Sequence, residues 1–411
     1  MRPLALSLAI ASLVGLCPPT LQAQRGKVPK RPDLGAGADT NFAPDYYTYG
    51  VSKLERDPER AAAAFYWAAR IDPAWAQPLY ARRVALFLAD PRLLVGYLNG
   101  NRRYVESKEA RSIDSLELRA LTLDPFLTRN LDKQLIVAYL RALFQEELRQ
   151  SGEEMDAAHA VRFDYFMEKY LRNDARERVR ARMAMAEDRV PEALDLYRKA
   201  LPQEPEDRAG IHVERARAFY TLGNQDSTRA ELSRALEELR NKDQKALVYV
   251  YQSKALLEHC IGLTYETKAQ FEPAREAYGR ALQEDLSYYP AHVRLGSVAL
   301  AAGDTASALS ELDLAVQIKG DDPWVRATYG ITLAQTNRSA AAIEQLRKAI
   351  ELEPFYPGPY YILGRVEELA GKSADAAEGY KGYLAHASSQ DARVADVKQR
   401  LAALGGAGDH P

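Results

Sequence analysis

Apolar residues along most of this chain recur every three to four positions, in segments of about a dozen residues separated by short polar stretches. That spacing predicts amphipathic helices joined by tight turns. No run alternates apolar and polar residues between turn signals, so no strand is predicted. Toward the C-terminus the pattern becomes periodic: Gly262, Gly296, Gly330 and Gly364 stand 34 residues apart. Twelve residues after each comes Ala274, Ala308, Ala342 or Ala376, and four further on Tyr278, Leu312, Leu346 or Tyr380. Three beyond those are Ala281, Ala315, Ala349 and, breaking the rule, Tyr383. Each window reads as a helical hairpin in which small residues mark close backbone approach and a large neighbour fills the space beside them. One such hairpin cannot bury its apolar face, so neighbours must stack into an array.

The polar turns share one slot. "AGDTASA" (302–308), "TNRSAAA" (336–342) and "AGKSADA" (370–376) each offer Gly or Asn to reverse the chain and Ser or Thr to cap the next helix. This excludes a nucleotide loop at Gly371-Lys372-Ser373. Val366 stands where the loop's first glycine is needed, and the flanking segment has helical rather than strand spacing. Asn337-Arg338-Ser339 fits a glycosylation sequon but is the same turn.

Upstream the pattern is noisier. Ala193, Tyr197, Ala200 and Pro205 repeat the second-helix spacing, and residues 217–236 form a hairpin with its turn at Gly223-Asn224. Extra length before Gly262 predicts extended helices. Ala61, Phe65, Ala68 and Pro73 mark another second helix, whereas 91–175 fits no repeat frame and holds amphipathic helices over 131–150 and 156–173. The expected organisation is N-terminal repeat-like helices (45–90), an irregular helical region or degenerate repeats (91–175), and degenerate repeats (176–254). Four regular repeats (255–388), a capping helix (389–404) and a tail (405–411) complete it.

The repeat residues resemble those of the tetratricopeptide repeat, most clearly in "PWVRATYGITLAQTNRSAAAIEQLRKAIEL" (323–352) closed by Glu353-Pro354. The resemblance implies an all-α fold, a right-handed superhelical solenoid of antiparallel helix pairs whose first helices line a concave partner-binding surface. Three rows map onto those helices. The first is His259, Val293, Ala327 and Tyr361; the second Leu263, Ser297, Ile331 and Arg365; the third Glu266, Leu300, Ala334 and Glu368. From them Val293, Ser297, Leu300, Ala327, Ile331, Tyr361 and Arg365 are the expected partner-binding residues. Family members that grip a peptide's terminal carboxylate present Lys, Asn and Arg in these rows. Only Arg365 does so here, so an apolar or amphipathic segment fits better than an acidic peptide.

Composition changes the picture little. A formal charge of −2 over 411 residues gives no electrostatic ground for a nucleic-acid partner. The apolar run from Leu4 to Leu16 is too short to span a bilayer. Residues 1–23 read as a secretory signal cut after Ala23, and 24–44 as a flexible linker. A lipid anchor at Cys17 is the weaker alternative, because Leu16 is bulkier than the residue such a site needs. No other segment reaches spanning length, so the expected location is exported, periplasmic or extracellular. The six histidines have no metal-ligand spacing, and no cofactor is expected. Cys260 precedes Ile261-Gly262 and reads as a packing residue. Without a serine elbow or dinucleotide fingerprint, the chain reads as no enzyme but as an envelope scaffold or adaptor for a protein or peptide. The alternative is a catalytic or glycan-handling protein whose active part lies in 91–175 or in a partner, with the repeats as frame.

Overall fold

The structure, a computed structural model, describes residues 28–151, 157–171, 176–246 and 251–406. The proposed signal, including Cys17, lies outside them. Among the described residues regular structure is helical throughout, with no strand. The first helices are α1 (Ala43–Lys53), α2 (Pro58–Ile71), α3 (Ala76–Ala89), α4 (Pro91–Leu98) and α5 (Arg102–Val105). There follow α6 (Lys108–Leu123), α7 (Asp132–Gln150), α8 (Ala157–Lys169), α9 (Glu177–Ala186) and α10 (Val190–Ala200). The next five are α11 (Arg208–Thr221), α12 (Gln225–Ala246), α13 (Tyr251–Glu266), α14 (Phe271–Glu284) and α15 (Tyr289–Ala301). The last are α16 (Thr305–Lys319), α17 (Pro323–Gln335), α18 (Ser339–Leu352), α19 (Pro357–Leu369), α20 (Ser373–His386) and α21 (Arg393–Gly406). The two helices expected within 91–175 correspond to α7 and α8.

The hairpins α9–α10, α11–α12, α15–α16, α17–α18 and α19–α20 pack as pairs. Their turns are built alike. In each, one residue adopts positive φ: Asp188 (59°), Gly223 (72°), Gly303 (80°), Asn337 (60°) and Gly371 (72°). Two backbone bonds then close the first helix, as in Lys372 N–H to the Glu367 carbonyl (2.9 Å) and Gly371 N–H to that of Glu368 (3.0 Å). This pairing satisfies carbonyls that the helix end would leave orphaned. The same two bonds recur at Ala269, between α13 and α14, with φ 54°. "GKS" is therefore a chain reversal.

Two compact units emerge. Unit 1 comprises residues 53–62 and 79–277. One of its cores joins Phe126, Ala216, Leu232, Leu236, Leu257, Cys260 and Ala277, and another joins Ala181, Ala193, Leu196, Tyr197 and Ile211. The described part of unit 2 comprises 28–52, 63–78 and 278–406. Its core follows the repeat pattern, with Leu312, Leu346 and Tyr380 almost wholly buried. A Cβ placed on Gly296, Gly330 or Gly364 would lie 2.7–2.8 Å from those three side chains, which is why the position excludes larger residues. The expected capping helix is α21, whose Val394, Val397, Leu401 and Leu404 pack on Tyr380 and Tyr383.

Unit 2 also corrects an expectation. Residues 28–42, read as part of a flexible linker, are tied down. Arg31 lies over the rings of Tyr46, Trp67 and Phe355 at 5.1–5.7 Å, and its Nε donates to the Tyr46 hydroxyl at 2.7 Å. Trp67 Nε1 donates to the Pro29 carbonyl at 3.0 Å. Asp39 accepts from Ser388 Oγ, Ser389 N and Ser389 Oγ at 2.7–3.0 Å. The polar composition that suggested a tether supplies these contacts instead.

Candidate functional site

The expected groove residues occupy α15, α17 and α19 of unit 2, and they divide by exposure. Ser297 is exposed, and Leu300, Ile331, Tyr361 and Arg365 are half-buried. Val293 and Ala327 are only 2% and 1% exposed. Val293 belongs to a core with Leu312, Ala315 and Val325. These two residues correct the first row: the small Ala and Val there are helix-packing residues with no surface to offer. Tyr361 keeps part of its ring open but rests on Tyr383, 5.6 Å between centroids, beneath the Arg393 guanidinium at 5.4 Å. Of the seven expected residues, Ser297, Leu300, Ile331, Tyr361 and Arg365 thus keep open surface.

The same offset from a positive-φ turn recurs in unit 1, where periodicity alone could not find it. Ile331 lies six positions before the positive-φ residue of its turn, as do Ser297 and Arg365 in theirs. The same offset from Gly223 and Asp188 gives Arg217 and Arg182. Sequence reasoning missed both because the turns at Gly223 and Ala269 lie 46 rather than 34 positions apart, α12 being a 22-residue helix.

Arg182 and Arg217 belong to a charged cluster in unit 1. Glu214 accepts from Arg178 Nη2 at 2.7 Å and Arg182 Nη2 at 2.6 Å, which holds its carboxyl far below the usual range against the opposing effect of burial. Glu117 is shared by Arg83 Nε, at 2.9 Å, and Arg129 Nη2. Burial would raise the Glu117 pKa, but the two guanidinium charges overcome it and bring it down to about 2. Tyr80 donates to Asp132 at 2.8 Å, and Tyr97 to Asp114 at 2.9 Å. Cys260 is buried beneath this cluster, and desolvation pushes its thiol up to about 12, so it stays protonated and packs as a small apolar residue.

Three of the histidines, His212, His292 and His386, make packing or hydrogen-bond contacts. His212 meets Glu231 at 2.7 Å and His292 meets Glu311 at 2.7 Å, each clasping two helices of one hairpin. His386 packs its ring against Phe355 and Tyr360. Among the described residues no group of three His, Cys, Asp or Glu is placed to hold a metal, and no helix is long and apolar enough to cross a membrane.

The family profile described as tetratricopeptide repeat matches residues 261–323 and 330–392. Those two stretches, and not the chain as a whole, are what matches the tetratricopeptide repeat. No curated protein matches the chain in sequence. Among solved structures it resembles YrrB, a TPR protein with an unusual peptide-binding site, at 21% identity, covering 50% of this chain and 98% of that one with a TM-score of 0.38. It also resembles the C-terminal part of a TPR repeat-containing protein from Cytophaga hutchinsonii (17% identity, 56% and 88% covered, TM-score 0.45). MamA from Desulfovibrio magneticus RS-1 is a third (18% identity, 45% and 98% covered, TM-score 0.38).

Proposed function

We propose that this protein is a non-catalytic scaffold that holds a polypeptide segment against the first helices of its C-terminal repeats and works outside the cytoplasm. One observation carries the reading. Side chains at the same offset from successive turns, Ser297, Ile331 and Arg365, keep open surface on the first helices, while Val293 and Ala327 on the same helices are packed. With Leu300 and Tyr361 they give an apolar strip ending in a cation, suited to an amphipathic helix or extended apolar segment with an acidic residue at one end. Tyrosine is favoured as an anchor because it buries a large rigid area at low entropic cost. The apolar run before Cys17 supports export to the periplasm or extracellular space.

The test places a photo-crosslinking residue at Ile331 or Ser297, and at exposed Glu344 on α18 as control, in the full-length protein in its native cells. Adducts from the first two positions and none from Glu344 support the reading; adducts from Glu344 alone, or from none, sink it. Ile331→Glu should abolish the Ser297 adduct through an unpaired charge in the contact, while its melt stays intact. Mass spectrometry of the mature protein checks the location: a chain beginning near Gln24 fits export, and one retaining residues 1–23 does not.

A further inference from the structure

We propose that residues 28–42 form an acid-released strap on unit 2: a proton taken up by His386 loosens them and uncovers the rings of Trp67 and Phe355. The device uses none of the groove residues and stands or falls independently of that reading.

The hold on the strap is largely polar. Leu34 packs against the cluster of Tyr46 and Trp67, but Val28 is 55% exposed. Trp67 Nε1 donates to the Pro29 carbonyl, and Arg31 covers the rings of Tyr46, Trp67 and Phe355. At the other end Asn41 Nδ2 donates to the Ala385 carbonyl at 3.0 Å and to that of Ala387 at 3.4 Å. Those carbonyls flank His386, so the strap crosses the chain where this histidine stands. The imidazole packs on Phe355 and Tyr360, with centroids 5.6 and 5.5 Å away. Arg31 and His386 thus share one neighbour, the Phe355 ring, which each touches directly.

Charge around that ring is mainly positive. Arg31 comes from the strap, and its hydrogen bonds go to neutral oxygens, the Tyr46 hydroxyl and the Thr40 carbonyl. Arg70 of α2 lies over Phe355 at 4.7 Å. Glu353, just after α18, is taken by Arg70 Nε at 2.9–3.1 Å. Asp39 of the strap accepts from Asn41 N, Ser388 and Ser389. Burial would raise its pKa, but these bonds outweigh it and hold the carboxyl below the usual range. Asp39 therefore stays ionised in mild acid and is not the titrating group. From α19 comes Tyr360, which burial keeps neutral. A proton on His386 adds a third cation around Phe355, and its repulsion falls on Arg31. Burial and the Arg31 charge accordingly lower the His386 pKa below 6.5 while the strap is docked. The released form binds the proton more readily. Docking keeps its full strength above pH 6.5 and weakens as pH falls toward the docked value.

The test is fluorine NMR of the full-length protein labelled with fluorotryptophan, from about pH 7.5 to about pH 5. Its three tryptophans give three signals, and Trp67→Phe assigns that of Trp67. Trp324, packed on the core that holds Val293 and Leu312, reports whether the repeats stay folded. The Trp67 signal of the released form should grow several-fold over that range while the Trp324 signal stays in place. His386→Gln and His386→Phe should abolish the growth, the second keeping an aromatic ring against Phe355. His292→Gln should leave it as in the wild type. A Trp67 signal unchanged with pH, undiminished growth in either His386 variant, or its loss in His292→Gln overturns the proposal. So does a Trp324 signal that moves in step with that of Trp67, which marks acid unfolding of the repeats.

Discussion

At the scale of single residues, two glycines on second helices make opposite demands. A Cβ on Gly379 would come within 2.9 Å of the Gly364 backbone nitrogen and 3.0 Å of its Cα, atoms that cannot step aside. On Gly279 it would meet nothing within 4 Å. Gly379→Ala should therefore cost about 1–3 kcal/mol through overpacking, whereas Gly279→Ala should gain about 0.5–1 kcal/mol from helix propensity. Denaturant melts of the two variants, moving in opposite directions, check this. The His292–Glu311 clasp makes a second prediction. Burial lowers the His292 pKa, but the Glu311 bond and the Leu286 carbonyl at 3.2 Å outweigh it and leave it raised above 6.5. A raised folded-state pKa contributes stability that is fully present below pH 6.5 and is lost as pH climbs through the folded value. The melting midpoint of the wild type should fall over that interval more than that of His292→Gln; parallel pH profiles would contradict it.

At the scale of elements, the turns carry the register and explain what could be read beforehand. Gly303, Asn337 and Gly371 were legible because Gly and Asn tolerate positive φ. Asp188 and Ala269 were not, since neither residue announces a left-handed turn, yet both close the same pair of backbone bonds. Alanine there bears a steric penalty of about 1–2 kcal/mol. Allowing for the extra freedom that glycine gives the unfolded chain, Ala269→Gly should stabilise the α13–α14 hairpin by about 0.5–1 kcal/mol. An unchanged or lowered melting midpoint would refute that. The same gap in legibility hid Arg182 and Arg217: the long α12 breaks the 34-residue count, so their equivalent offset within their own hairpins emerged only from turn geometry. Val293 and Ala327 show the converse. The period put them on a shared face, but it could not say how deeply the following helices cover that face.

At the scale of the whole chain, the helical class and the capping helix were plain from apolar spacing, whereas the partners of residues 28–78 were not. No local pattern indicates that Arg70 will pair with Glu353, Nε to Oε2 at 2.9 Å, or lie over the Phe355 ring at 4.7 Å. Glu353 is 2% exposed, so Arg70→Met would strip a buried carboxylate of its cation. The cost should be of order 2–3 kcal/mol, somewhat below the 3–5 kcal/mol of a fully buried pair because Arg70 retains some solvent. A Tm lowered in Arg70→Met and partly restored in Arg70→Met/Glu353→Gln is the expected readout.

The anchoring of the segment before α1 bears on how the protein is made. Stacked hairpins fold through neighbour contacts, each available as soon as the next helix is synthesised. The bonds from Asn41 to the Ala385 carbonyl and from Asp39 to Ser389 instead join residues 344 and 350 positions apart. Closing so long a loop has an entropic cost that grows only logarithmically with length, but it cannot begin until the last repeat has emerged from the ribosome. The N-terminal residues, first to be synthesised, are thus among the last to find their partners. Until then Trp67 and the Arg31 side chain lack the Phe355 ring, and a chain shortened at its C-terminus should betray the loss at its N-terminus, as early protease cleavage before α1.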